Sequence, residues 1–259
     1  MKNSKFSYKN LYTDLILEQK PSKNNTIIKY KNILLTKTTH YKSNYSTIYF
    51  DEISGIKITK YIEDVFEYET CPYEDKIERC AQLMKKLHTL SAPNFPFEPF
   101  KTLETYRSLV KKPLFDLSIY EESIKEVQSF KNKDVLCHND FVSGNILYGK
   151  DRDYLIDYEY AAANDPLFDV MSFLSENQIF DKDLRMRFYN VYFEEINEEI
   201  MHQLYLWEMF QNVLWCNWAM MMYESRKENI YKEIAESIKN SPQYENVRKT
   251  LEQKYSTKD

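Results

Sequence analysis

"VLCHNDFVSGNILYGKDRDYLIDYEYAAANDPLFD", residues 135–169, sets short apolar runs among closely spaced aspartates, asparagines and one histidine. A plain core segment would not carry so many polar groups. A plain surface loop would not carry the Val135-Leu136 and Leu155-Ile156 pairs. The apolar runs read as three short strands, at 135–137, 146–148 and 154–156, with the turn-rich "GKDRD" joining the last two into a hairpin. His138, Asp140 and Asn145 then form H-x-D-x-x-x-x-N on the loop between the first strand and the hairpin. Asp157 follows where the hairpin ends, in "LIDYEY".

Phosphoryl transfer needs this set of parts. A carboxylate must orient an attacking hydroxyl and accept its proton, and oxygen ligands must hold the Mg²⁺ that bridges the nucleotide phosphates. Asp140 suits the first role. Asn145 and Asp157 suit the second, because a hard cation takes an amide oxygen and a carboxylate. A rigid hairpin between them would fix their separation, which matters for chemistry that is mostly positioning and electrostatics. His138 reads as structural, hydrogen-bonding the loop or the Asp157 region.

Outward from this stretch, nearly everything after Pro166 has helical patterning: 166–178, 183–194, 199–223, 227–239 and 244–255. On the N-terminal side, "DKIERCAQLMKKLHTL" sets Ile77, Cys80, Leu83, Met84, Leu87 and Leu90 on one helical face, and Pro93, Pro96 and Pro99 end it. Residues 102–111 and 116–131 also look helical. Residues 25–38, with Ile27, Ile28, Leu34 and Leu35, are expected to form a helix, and "STIYFDEISGIKITKYI" two strands about a turn at 51–55. The sum is an α+β arrangement.

Composition bounds the function. Of 259 residues, 43% are apolar and 15% aromatic, enough for a sizeable core. The net charge of −5 comes without a sustained basic stripe, which argues against nucleic acid as a partner. The four cysteines, Cys71, Cys80, Cys137 and Cys216, lie too far apart for a zinc motif or a disulfide framework. The longest apolar run, 213–223, is too short and polar to insert in a membrane, and the first residues carry no apolar signal segment. A reduced, cytoplasmic protein is expected. Trp215 and Trp218, at i and i+3, share a helix face.

"CHNDFVSGNILY" followed by "LIDYEYAAANDPLFDVMSFLSEN" resembles the choline/ethanolamine kinases of the aminoglycoside phosphotransferase and protein-kinase-like superfamily. The superfamily pattern is H-x-D-x-x-x-x-N with the later aspartate. The choline branch adds Ile156, Asp157, Glu159 and Tyr160, then Phe168 and Asp169, then Glu176. "SGIKITKYIED", residues 54–64, resembles the strand that leads to the family's interlobe hinge.

The resemblance implies a protein-kinase-like two-lobe fold. A reduced, strand-containing N-lobe would span 1–62, and a mainly helical C-lobe with the catalytic hairpin 63–259. It implies Asp140 as catalytic base, His138 and Asp169 as supports of the catalytic loop, and Asn145 and Asp157 as Mg²⁺ ligands. Tyr61 and Ile62 would touch the nucleotide, with ATP as co-substrate. Glu159, Glu176, Phe180, Trp215, Trp218 and Tyr231 would bind a choline-like small molecule. A quaternary ammonium donates no hydrogen bond, so aromatic faces and a carboxylate must hold it. The expected activity is phosphorylation of the hydroxyl of choline or a related amino alcohol. A degenerate relative that binds ligand without efficient catalysis, and a phosphotransferase for an aminoglycoside-type acceptor, are the alternatives.

Overall fold

The computed structural model describes residues 62–240 continuously and, before them, the backbone of five strands. These are β1 (Gln19–Pro21), β2 (Thr26–Tyr30), β3 (Ile33–Lys37), β4 (Thr47–Phe50) and β5 (Ile56–Lys60). They form one antiparallel sheet in the order β1-β2-β3-β5-β4. Leu35 stands opposite Ile28 on one side and Ile58 on the other. Ile58 is buried.

This corrects the helix expected over 25–38, whose residues form the paired strands β2 and β3. Ile27, Ile28, Leu34 and Leu35 repeat at a spacing of seven, about two helical turns, which is what suggests a helix. The β-branched and aromatic residues Thr26, Ile27, Ile28, Tyr30, Ile33 and Thr36 favour the pleated form once neighbouring strands are there to pair. The two strands expected about 51–55 are β4 and β5, paired with a register shift between Thr47 and Tyr49. The expected helix at 244–255 lies outside the described residues.

β6 (Val65–Phe66) leaves the N-terminal sheet and pairs with β8 (Ile146–Gly149), which pairs in turn with β9 (Asp153–Leu155). α1 (Lys76–His88) buries Ile77, Cys80, Ala81, Met84 and Leu87 on one face, with Lys85, Lys86 and His88 in its last turn, where cations complement the helix dipole. Leu90, expected on that face, lies past the helix end and is exposed. α2 (Pro99–Leu109) starts at a proline, which has no amide to leave unsatisfied there. α3 (Glu121–Gln128) follows a single 3₁₀ turn.

β7 (Val135–Cys137) pairs with β10 (Ala162–Asn164), so the chain between them is pinned at both ends. α4 (Pro166–Met171) is capped by the Asp165 side chain, which accepts from Leu167 N. The helix expected to run on to 178 changes to a π-turn at Ser172–Glu176. α5 (Lys182–Tyr192) and α6 (Glu198–Arg226) have Asp181 and Asn197 as side-chain caps. α7 (Asn229–Lys239) packs back on α6.

α6 is the central helix: α2, α3, α4 and α7 all pack on it. Near its C-terminal end, the Glu224 carboxylate accepts from the backbone amides of Lys111 and Lys112, just past α2. Phe168, Phe173, Phe188 and Phe210 fill the core around it. Among the described residues, no helix is long and apolar enough to cross a membrane.

Candidate active site

β7 delivers the loop 138–145, and β8 and β9 form the hairpin beyond it. His138 is fully buried, and its Nε2 lies 2.9 Å from the Ile156 carbonyl. A carbonyl only accepts, so Nε2 carries the proton. His138 therefore ties the loop to the residue before Asp157.

Asn139 has a left-handed backbone (φ 63°). Its amide gives a hydrogen bond to Tyr160 O (2.8 Å) and takes one from Asn164 Nδ2 (2.8 Å). Asn139 thus points into the scaffold and leaves Asp140 to face the site. Asn145 Nδ2 donates to both the Asp140 carbonyl (2.9 Å) and its carboxylate (3.0 Å). Both donors of these bonds are the amide nitrogen, so the amide oxygen of Asn145 is not used in them. Asn145 O also accepts from Ile156 N at 2.9 Å, closing the base of the hairpin beside Asp157.

Burial raises the Asp140 carboxyl above its ordinary range. His138 and Asn145 act against that rise, and the nearby carboxylates of Asp157 and Asp169 add to it. Asn145 is thus bonded to the Asp140 carboxylate, and Asp157 directly follows the residue whose amide bonds Asn145 O.

Asp169 is fully buried and accepts from His138 N (2.7 Å), Asn139 N (2.8 Å) and His88 Nε2 (3.1 Å). Two residues of the loop hang on this one carboxylate. His88 lies 81 residues away on α1, and its other ring nitrogen meets the Tyr192 hydroxyl. His88, Asp169 and Cys137 cluster, but the Cys137 thiol is turned to the Asn164 and Asp165 carbonyls and both Asp169 oxygens hold loop amides, so the cluster is scaffolding.

A cavity of about 930 Å³ opens beside Asp140. Glu176 and Phe180 come to it from the π-turn and the residues after it, Trp215 and Trp218 from α6, Tyr106 from α2, and Ile234 and Ile238 from α7. The two indoles meet edge to face, with centroids 6.3 Å apart. Tyr231 is buried behind Trp218 at 5.7 Å and is not among the residues that line the cavity.

Burial, and then the charge of Asp140, push the Glu176 carboxyl up to about 8, while the Ser172 hydroxyl draws it down. Glu208 also lines the cavity, but Arg185 grips it with two hydrogen bonds of 2.9 and 2.7 Å. Sequence spacing offered no signal for the Arg185–Glu208 pair or for the α7 wall.

Glu159 lies in the 3₁₀ turn 158–160, and its side chain is outside the described residues. Tyr61 is also outside them. Ile62 is half-buried in the connection after β5.

A loop of this form on a kinase-like fold defines a phosphotransferase. Residues 71–207, more than half of the chain, match the family described as APH, phosphotransferase enzyme family, and the chain belongs to it. Protein LicA of Haemophilus influenzae is 29% identical over 201 residues, covering 70% of this chain and 58% of that protein, so the match spans little more than half of that relative. A choline/ethanolamine kinase family protein from Mesorhizobium loti superposes with a TM-score of 0.72 at 18% identity, over 91% of this chain and 92% of that one. Choline kinase LicA from Streptococcus pneumoniae superposes with a TM-score of 0.68 at 19% identity, over 90% and 97%. At such identities the structural likeness speaks for the fold.

Proposed function

We propose that the protein transfers the γ-phosphoryl group of ATP to the hydroxyl of choline or a related amino alcohol. The observation that carries this reading is that Asp140 and Glu176 border one cavity whose wall holds Trp215 and Trp218. The acceptor hydroxyl lies at Asp140, which takes its proton as the oxygen bonds to phosphorus and the bond from phosphorus to ADP breaks. The raised proton affinity of Asp140 suits a general base. At the other end the ammonium meets the indole faces, each cation–π contact contributing about 0.5–2 kcal/mol, and the bound cation favours the ionised form of Glu176 beside it.

The strands through Lys60 serve as the nucleotide-binding lobe, with Tyr61 and Ile62 at the hinge, and residues from 63 on form the acceptor lobe. Asn145 and Asp157 fit Mg²⁺ as its protein ligands: one amide oxygen and one carboxylate are hard donors, and the repulsion between Asp140 and Asp157 is what a cation there relieves. Mg²⁺ bound with the nucleotide supplies neutralisation of phosphate charge.

Arg185 neutralises Glu208, so among the described lining residues the carboxylates left are Glu176 and Asp140. One carboxylate for the ligand favours a single cation over a polycationic aminoglycoside. Purified protein with ATP, Mg²⁺ and choline is expected to yield phosphocholine and ADP, and Asp140→Ala to yield none. Phosphocholine no higher than in that control overturns the reading.

A further inference from the structure

We infer that Ser172 is the positioning residue that sets the acceptor carboxylate Glu176 against the catalytic loop, through one hydroxyl shared by both. Ser172 is fully buried at the start of the π-turn. Its Oγ accepts from Phe141 N, next to Asp140, at 3.2 Å. The same Oγ donates to Glu176 Oε1 at 2.7 Å. The amide can only donate, which leaves the hydroxyl proton for Glu176 Oε1 when that carboxyl is ionised.

The neighbouring contacts show what is particular to Ser172. Asp169 holds the amides of His138 and Asn139. Asn177 accepts from Ser143 N (2.6 Å) and donates to Phe141 O (3.3 Å). Residues 169–177 thus grip the loop 138–143 at successive points. Of these three side chains, Ser172 alone also bonds a carboxyl group that lines the acceptor cavity. The i, i+4 reach from Ser172 to Glu176 runs inside the π-turn, a local widening that recurs at functional sites. The groups that face Glu176 are Asp140, Asp169, the Ser172 hydroxyl and Trp215.

This inference rests on the proposed role of Glu176 in holding the acceptor cation. With Ser172 in place, the distance from base to ammonium is set by one bridging oxygen, so the hydroxyl of a short amino alcohol arrives at Asp140 when its cation is seated. Without it, Glu176 loses its tie to the loop while the nucleotide side is untouched.

Steady-state kinetics with choline and ATP test this in Ser172→Ala and in Ser172→Cys, which keeps the shape with a weaker donor. KM for choline is expected to rise about tenfold in Ser172→Ala and less in Ser172→Cys, as for loss of one hydrogen bond to a charged group, with KM for ATP unchanged within about twofold. In a Glu176→Gln background, Ser172→Ala is expected to raise the choline KM by less than about threefold, because the two residues act as one unit. Full additivity, or a choline KM within twofold of wild type in the foldable variants, overturns the inference. A wild-type protein that neither binds choline by calorimetry nor phosphorylates it overturns the functional reading instead.

Discussion

Asp169 bears no solvent exposure and spends its carboxylate on two loop amides and His88. In Asp169→Asn, one oxygen becomes an NH₂ that faces a backbone N–H, donor against donor. The buried amide left unmatched should lower stability by about 1–3 kcal/mol. A larger fall in kcat than in acceptor KM should accompany it, since Asp140 loses its support. Denaturant melts and kinetics check both, and a variant that matches wild type in both would refute the buttress.

Glu176 makes a second residue-scale prediction. Its carboxyl is raised from 4.5 to about 8 in the native protein. The unfolded chain therefore releases this proton first, and the native state binds more protons between pH 4.5 and 8. Stability from this group is present below that window and falls as pH rises through it. Thermal melts of the ligand-free protein across pH 5 to 8.5 should show this loss in wild type and a flatter profile in Glu176→Gln. Parallel profiles would refute the shift. The contact between Asp140 and Asn145 was legible because the loop packs both into a short, fixed spacing. The tie from His88 to Asp169 was not, because only tertiary packing brings α1 against α4.

At the scale of elements, the hairpin β8–β9 has to be stiff to hold Asn145 and Asp157 apart by a set distance. Arg79 of α1 clamps its turn, with Nε 2.9 Å from Asp153 Oδ2 and a terminal nitrogen 2.6 Å from Gly149 O. Gly149 sits where a Cβ would lie 2.6 Å from the Arg152 carbonyl. Gly149→Ala must push the turn open, and should cost about 1–3 kcal/mol by overpacking. A denaturant midpoint equal to wild type would contradict that. The hairpin itself was readable from "GKDRD" between apolar runs. The β2–β3 pair was not, because its apolar residues recur at two helical turns and the pleated form depends on pairing with β5, later in the chain. The π-turn was equally hidden: residues 166–178 are continuous in helical patterning, and the widening comes from packing against the loop.

At the scale of the whole molecule, the acceptor cavity has no single owner: α2, the catalytic loop, the π-turn, α6 and α7 each give one wall. A ligand that touches several of them should stabilise the entire fold. Choline at about a hundred times its Kd should add about 2.7 kcal/mol, read as a higher unfolding midpoint. Trp218→Ala should weaken choline binding by about 3- to 30-fold, the loss of one cation–π contact. An unchanged affinity in that variant would sink the indole's role.

α6 runs unbroken for 29 residues, about 44 Å of helix at 1.5 Å each. It carries the indoles about two thirds of the way along and, through Glu224 in its last turn, holds the backbone just past α2. The gap between those walls is thus gauged by a stiff rod, and acceptor size becomes a mechanical property of the scaffold. Widening the pocket for a bulkier alcohol would require moving the Glu224 anchorage and α2 with it, a change made less than two helical turns beyond Trp218.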